Sequence, residues 1–196
     1  EGRVEILKRT LAPRGPPKAV RPVDYLRTDI NNVWKLTVGD HAVFGFYNWD
    51  TNGVLKVDYD AAYADLDPAK TYVGFDFWND RFVPSFKDRF AFDVPMDDCR
   101  VIAVSEFDGT KPVLVSTSRH IASPIFEVTD VRWDAAAKAL LGTSAVVPDE
   151  TYELRIAVPE GMSCSSAGAG EIAQSGRELR VRFQPSGEKL VWSLSF

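Results

Sequence analysis

Apolar and polar residues alternate with a period of two along much of this chain, most densely at residues 72–79. Val73, Phe75 and Phe77 fall on one face of a strand there, and Tyr72, Asp76 and Trp78 on the other. Aromatic residues on both faces predict a strand that is covered from both sides. From Val33 onward the pattern recurs at short intervals, predicting strands at 33–38, 42–49, 54–59, 71–78, 89–94 and 100–107. A second series follows at 113–116, 125–131, 139–147, 152–158, 178–183 and 189–196. In that series Tyr152, Leu154, Ile156 and Val158 face one way and Glu153 and Arg155 the other, while Leu179, Val181 and Phe183 alternate with Arg180 and Arg182. Such strands predict one apolar and one water-facing side. Leu190, Trp192, Leu194 and Phe196 share a face of the last strand, which predicts a core strand.

Turn chemistry separates these runs. Gly39-Asp40 and Thr51-Asn52-Gly53 suit hairpins, because Gly and Asn-Gly accept positive φ. Residues 61–66 suit a single helical turn, 133–138 a turn linking two strands, and the Ser/Gly/Ala-rich 163–170 a loop. At the N-terminus, residues 4–9 predict a short strand. The following Leu11-Ala12-Pro13-Arg14-Gly15-Pro16-Pro17-Lys18 predicts an extended connector running over a neighbouring domain. The expected fold is all-β: two antiparallel β-sandwiches in tandem behind an extended Pro-rich N-terminal connector. The expected domains are 1–25 (strand and connector), 26–108 (first sandwich) and 109–196 (second, immunoglobulin-like sandwich).

At 196 residues and 45% hydrophobic composition the chain can bury a proper core. A net charge of −5 offers no broad positive field for phosphates, which argues against nucleic acid as a partner. No apolar run reaches the roughly 20 residues of a membrane-spanning helix, so no membrane partner is expected. The first residue is Glu1, as in a processed protein or an excised piece of a longer one, and the compartment stays open. Cys99 and Cys164 lack CxxC spacing, and only two histidines accompany them, so buried thiols are expected rather than a metal set or a disulfide.

The candidate chemistry is sparse. Asp58, Asp60, Asp76, Asp80, Glu106 and Asp108 are available for carboxylate catalysis, but no pair is marked out by its setting, and Asp97-Asp98 reads as a solvated turn. His41 and His120 follow turns without a GxSxG nucleophile motif. Asp58, Asp60, Asp65 and Asp67 lack the glycine and closing glutamate of a calcium loop. No catalytic residue, metal ligand or cofactor is therefore assigned. The remaining candidates are aromatic. Tyr47, Trp49, Trp78, Phe82 and the neighbouring Phe86 could form a stacking platform for carbohydrate, or bury in a core or interface as large aromatics usually do.

The order of segments carries a resemblance. Arg21-Pro22-Val23-Asp24-Tyr25-Leu26, Val33-Trp34-Lys35-Leu36, Val43-Phe44-Gly45-Phe46-Tyr47-Asn48-Trp49, Tyr72-Val73-Gly74-Phe75-Asp76-Phe77-Trp78 and Asp98-Cys99-Arg100-Val101-Ile102-Ala103-Val104 follow one another. This order resembles the region after the catalytic barrel in α-galactosidase-like (melibiase-like) glycoside hydrolases. It covers roughly residues 1–107; beyond Pro112 the likeness is vaguer and suggests an additional β-sandwich. In that family the catalytic carboxylates sit on a (β/α)₈ barrel, which needs about 250 residues of alternating strand and helix. No catalytic residue carries over to this chain. The resemblance implies a non-catalytic accessory region whose partner is the barrel of the same parent protein. A carbohydrate-binding module and a structural or adhesion sandwich pair remain as alternatives, since sandwiches host many functions.

Overall fold

The computed structural model describes residues 2–11 and 20–196. The fold is all-β and divides into two compact units: one ends at Asp108, and the other comprises Gly109–Phe196 with the N-terminal helix. The expected connector, apart from Leu11, lies outside the described residues.

The first unit contains β1 (Val20–Pro22), β2 (Val33–Val38), β3 (His41–Tyr47), β4 (Leu55–Asp60), β5 (Tyr72–Asp76), β6 (Arg81–Phe86), β7 (Arg89–Val94) and β8 (Cys99–Glu106). Six strands form one antiparallel sheet in the order β1-β2-β3-β8-β5-β6, and β4 pairs with β7 in a second. The core lies between them: Val33, Phe44, Phe46, Tyr72, Ile102 and Val104 from the large sheet meet Val57, Phe90 and Val94 from the small one. Phe46 packs edge-on against Phe92 at 4.6 Å between ring centroids. Burying each such ring contributes about 1.5–3 kcal/mol. On the opposite face of the large sheet Val43, Val73, Phe75, Val101 and Ala103 are buried too, so every residue of β5 is covered, as its two-sided aromatic pattern predicts. Gly39-Asp40 closes the β2–β3 hairpin as expected. The Asn52-Gly53 turn does not make a hairpin. It passes the chain from the large sheet to the small one, because β3 already has β2 and β8 as its neighbours.

The expected strand at residues 4–9 is instead an α-helix, α1 (Gly2–Thr10), belonging to the second unit. Helical spacing explains the difference. Glu5 pairs with Lys8 at 3.2 Å and with Arg9 at 3.6 Å, three and four residues on, and the acid lies in the first turn with the bases in the last, as the helix dipole favours.

The second unit contains β9 (Val113–Thr117), β10 (Val128–Asp134), β11 (Ala139–Ala145), β12 (Tyr152–Ala157), β13 (Glu171–Ser175), β14 (Glu178–Phe183) and β15 (Lys189–Ser195). Sheets ordered β10-β11-β15 and β13-β14-β12-β9 enclose Leu114, Leu140, Leu154, Ile156, Leu179 and Trp192. The last strand is a core strand: Trp192 and Leu194 are buried, and the indole lies over Gly142, where an added Cβ would sit 2.3 Å from the ring. The expected water-facing side of β12 is not wet. Glu153 and Arg155 are both buried, because the Glu153 carboxylate accepts from Arg155 Nε (3.0 Å), Arg180 Nη1 (3.1 Å) and Arg182 Nε (2.8 Å), so the buried acid is fully compensated.

One buried cation gives the first unit a specific pH response. Lys35 is 3% exposed, and its Nζ donates to the carbonyls of Ala64 (2.7 Å) and Asp65 (3.0 Å) at the end of a short 3₁₀ turn, Ala61–Ala64. Burial, with a smaller push from Arg21, lowers its pKa to about 8. Between that value and about 10.5 the unfolded chain binds more protons than the folded one, so stability rises with pH across this window. Compared with Lys35→Met, the wild-type protein should gain on the order of 2–3 kcal/mol from pH 8 to pH 10.5 in urea denaturation, since one pKa unit corresponds to about 1.4 kcal/mol. A difference between the two proteins that does not change with pH would show that Lys35 keeps its ordinary proton affinity.

Candidate functional site

The most exposed apolar surface of the first unit is built around one buried acid. Asp24 is 0% exposed, and its carboxylate accepts hydrogen bonds from the backbone N–H of Asn32 (2.8 Å) and Val33 (3.3 Å) and from Thr28 Oγ1 (3.3 Å). The ten residues from Asp24 to Val33 are thereby pinned at both ends and in the middle, and the large side chains turn outward. Tyr25 is 70%, Leu26 88% and Ile30 65% exposed. Trp49, 56% exposed, joins them by donating its indole N–H to the Asn31 carbonyl at 3.0 Å. A fixed loop that spends apolar side chains on water is the signature of a contact surface.

Trp49 is held from below as well. Its ring lies nearly parallel to Tyr47, 5.4 Å between centroids and 15° between planes. Tyr47 in turn lies back over Gly45, where a Cβ would come to 3.0 Å from the phenol ring, so any larger residue would push the ring by a few tenths of an ångström. Burial raises the Tyr47 phenol pKa. Trp34, registered opposite Gly45 on β2, places a further half-buried indole on this face. The chain leaves β3 through Asn48, which is buried and whose Nδ2 reaches the carbonyls of Gly53 (2.9 Å), Val94 (3.1 Å) and Pro95 (3.0 Å).

The structure brings Tyr47 and Trp49 together but not the other aromatic candidates. Phe82 is buried edge-on against Phe75 at 5.1 Å, and Phe86 stacks on Tyr72 in the core. Trp78 lies in the turn after β5, 37% exposed and perpendicular to Phe77. Asp24, Tyr25, Leu26 and Ile30 did not stand out as a site in the sequence. Their only signal is an apolar residue pair in a segment with no strand alternation, and Asp24 reaches partners up to nine positions away.

Four of the six candidate acids are held in ion pairs. Asp76 is buried and bonded to Arg100 Nε at 2.6 Å, Asp58 and Asp60 both bind Arg89, and Glu106 binds Lys70 at 2.5 Å. His41 is partly buried with Nδ1 3.0 Å from Ser105 Oγ, and burial lowers its pKa. His120 accepts the Ala122 N–H on Nδ1 and donates from Nε2 to the Leu11 carbonyl, so neither nitrogen is free to activate a nucleophile. Cys99 and Cys164 are free thiols, and burial raises the pKa of both. Among the described residues no cluster of potential ligands could hold a metal ion.

No protein-family model matches this chain, and neither does any curated protein. Among solved structures, the α-galactosidase I of Mortierella vinacea is similar over 39% of this chain and 21% of its own, at 13% identity and a TM-score of 0.33. A chondroitin AC lyase mutant of Streptomyces coelicolor A3 aligns over 93% of this chain and 27% of its own, at 12% identity and a TM-score of 0.19. Neither likeness transfers a site residue to this chain.

Proposed function

We propose that this chain is a non-catalytic accessory region of an α-galactosidase-like glycoside hydrolase, which packs against and stabilises the catalytic barrel of its parent protein. The observation that carries the reading is the pinned loop displaying Tyr25, Leu26 and Ile30 beside Trp49. Its Arg21–Leu26 portion opens the series of segments that resembles the post-barrel region of that family. A barrel of about 250 residues has an outer ring of helices against which such a loop can pack.

The experiment has two arms. The isolated chain should release no sugar from an aryl α-galactoside. In the parent protein, exchanging Leu26 and Ile30 together for serine should lower the melting temperature of the barrel by several degrees, as the loss of about 1–2 kcal/mol of interface would do. Hydrolysis by the isolated chain that one acid-to-amide change abolishes, or a barrel that melts unchanged in the double variant, would overturn the reading.

The parallel Tyr47–Trp49 pair favours a second reading, in which the exposed indole stacks on a sugar ring. A tryptophan fluorescence response to millimolar galactosides that Trp49→Ala removes would move the assignment from packing to carbohydrate binding.

A further inference from the structure

A cleft of about 600 Å³ opens in the second unit between α1 and the segment that joins β9 to β10. Its size is that of small-molecule sites. Glu127 lines it, although the residue is only 6% exposed. One carboxylate oxygen of Glu127 is fixed from beneath: Oε1 accepts from Thr117 Oγ1 at 2.6 Å and from Ser123 Oγ at 2.5 Å. Those hydroxyls in turn accept the backbone N–H groups of Arg119 (3.2 Å) and His120 (3.1 Å). The two hydroxyls also lie within hydrogen-bonding distance of each other at 2.9 Å, so Thr117, Ser123 and Glu127 form one network that sets the carboxylate's orientation before any ligand arrives. Among the described residues no hydrogen bond reaches Oε2, and no buried side-chain oxygen or nitrogen lacks a partner. Oε2 is therefore open to the cleft.

The other charges around the cleft are largely committed. Lys8 donates to Glu150 at 2.7 Å, Arg9 donates to the Arg119 carbonyl and pairs with Glu5, and both ring nitrogens of His120 are engaged. The Arg119 guanidinium also lines the cleft; it makes no side-chain hydrogen bond among the described residues and has the Glu150 carboxylate as an electrostatic neighbour. Glu127 Oε2 and the Arg119 guanidinium thus offer the cleft a fixed acceptor and a planar set of donors, of opposite charge. Phe126 and Val147 supply apolar wall.

We propose that this cleft binds a neutral sugar residue through neighbouring hydroxyls, one donating to Glu127 Oε2 and another accepting from Arg119, with an apolar ring face against Phe126. An anion would meet the Glu127 carboxylate and a cation the Arg119 guanidinium. A polyol carries donors and acceptors on adjacent carbons and satisfies both at no net charge. The site goes beyond the barrel-packing role and lies in the other unit from Trp49.

The test is an NMR titration of the whole 196-residue chain with the methyl glycosides of galactose, glucose and mannose. At least one should move the amide resonances of Arg119, Phe126 and Glu127 with millimolar affinity, the usual range for a single sugar of about −4 kcal/mol. Glu127→Gln can keep both hydroxyl bonds while turning the open acceptor into a donor, and Arg119→Ala removes a guanidinium that makes no hydrogen bond among the described residues. Each should weaken binding at least tenfold. Because Arg119→Ala leaves the Thr117–Ser123–Glu127 bonding in place, it carries the test if Glu127→Gln does not fold. No response to any glycoside would overturn the proposal, as would a response confined to Trp49. Shifts at the same residues produced by glycine but by none of the sugars would overturn it too, by assigning the opposed charges to a zwitterion.

Discussion

Replacing Asp76 with alanine is expected to remove about 3–5 kcal/mol of stability, the cost of breaking a buried ion pair by deleting one partner. Asp76 is 0% exposed, and its Oδ2 accepts from Arg100 Nε at 2.6 Å and from Asn79 Nδ2 at 2.9 Å. Arg100 is 5% exposed, and its guanidinium lies 4.2 Å from the centre of the Phe92 ring. Without the carboxylate that guanidinium would stay charged against aromatic carbon. The cation–π contact returns only about 1–2 kcal/mol, far less than the desolvation it would have to offset. A domain whose whole stability is about 5–15 kcal/mol would be left near its unfolding threshold. Urea denaturation of the first unit, followed by tryptophan fluorescence, measures the loss. Asp76→Leu combined with Arg100→Met should recover most of it, because no buried charge then remains. A loss below about 1 kcal/mol in Asp76→Ala would mean that water reaches Arg100 and that the pair behaves as a surface bridge.

This pair also marks how far the sequence could be read. The two-sided cover of β5 followed from its aromatic residues, yet Asp76 on the same strand gave no sign of its partner, because Arg100 comes from a strand 24 residues away. Central strands were legible for the same reason that they are central: both neighbours and the core select apolar, β-branched or aromatic residues. The three strands not foreseen, β1, β6 and β13, each lie at the edge of a sheet. An edge strand answers to one neighbour only and tolerates residues such as Pro22 and Pro84. Glu153 and Arg155 misled in the opposite direction. Alternation marks them as solvent-facing, whereas Arg180 and Arg182 on the adjacent strand let the acid be buried without an unmatched charge. The candidate surface was legible only in part. Tyr47 and Trp49 stand out by type, but the seat of Tyr47 over Gly45 shows only in the fold, and the apolar loop beside them depends on Asp24, whose role exists only once residues 24 to 33 close on themselves.

Asp24→Ala should therefore cost both stability and the contact surface. Its carboxylate is the acceptor for the Asn32 and Val33 N–H groups, and the Val33 carbonyl in turn receives the Val23 N–H at 2.8 Å, so the base of the loop would lose the bonds that close it. Leaving two backbone donors without partners at about 1–3 kcal/mol each gives an expected loss of about 3 kcal/mol. Asp24→Asn keeps an acceptor oxygen and should lose roughly half as much. The sharper readout is local: amide hydrogen exchange at Asn32 and Val33 should accelerate by more than tenfold in Asp24→Ala, while the amides of β8 in the same sheet slow or quicken only with global stability. Leu26→Ser provides the contrast. That side chain is 88% exposed, so its loss should leave stability within about 0.5 kcal/mol while weakening the barrel packing proposed for this loop. Stability and surface would then separate cleanly, since Asp24 shapes the loop and Leu26 only displays on it. Unchanged exchange at Asn32 and Val33 in Asp24→Ala would mean that the loop is held by its apolar contacts rather than by the buried acid, and that the surface it presents is not preorganised.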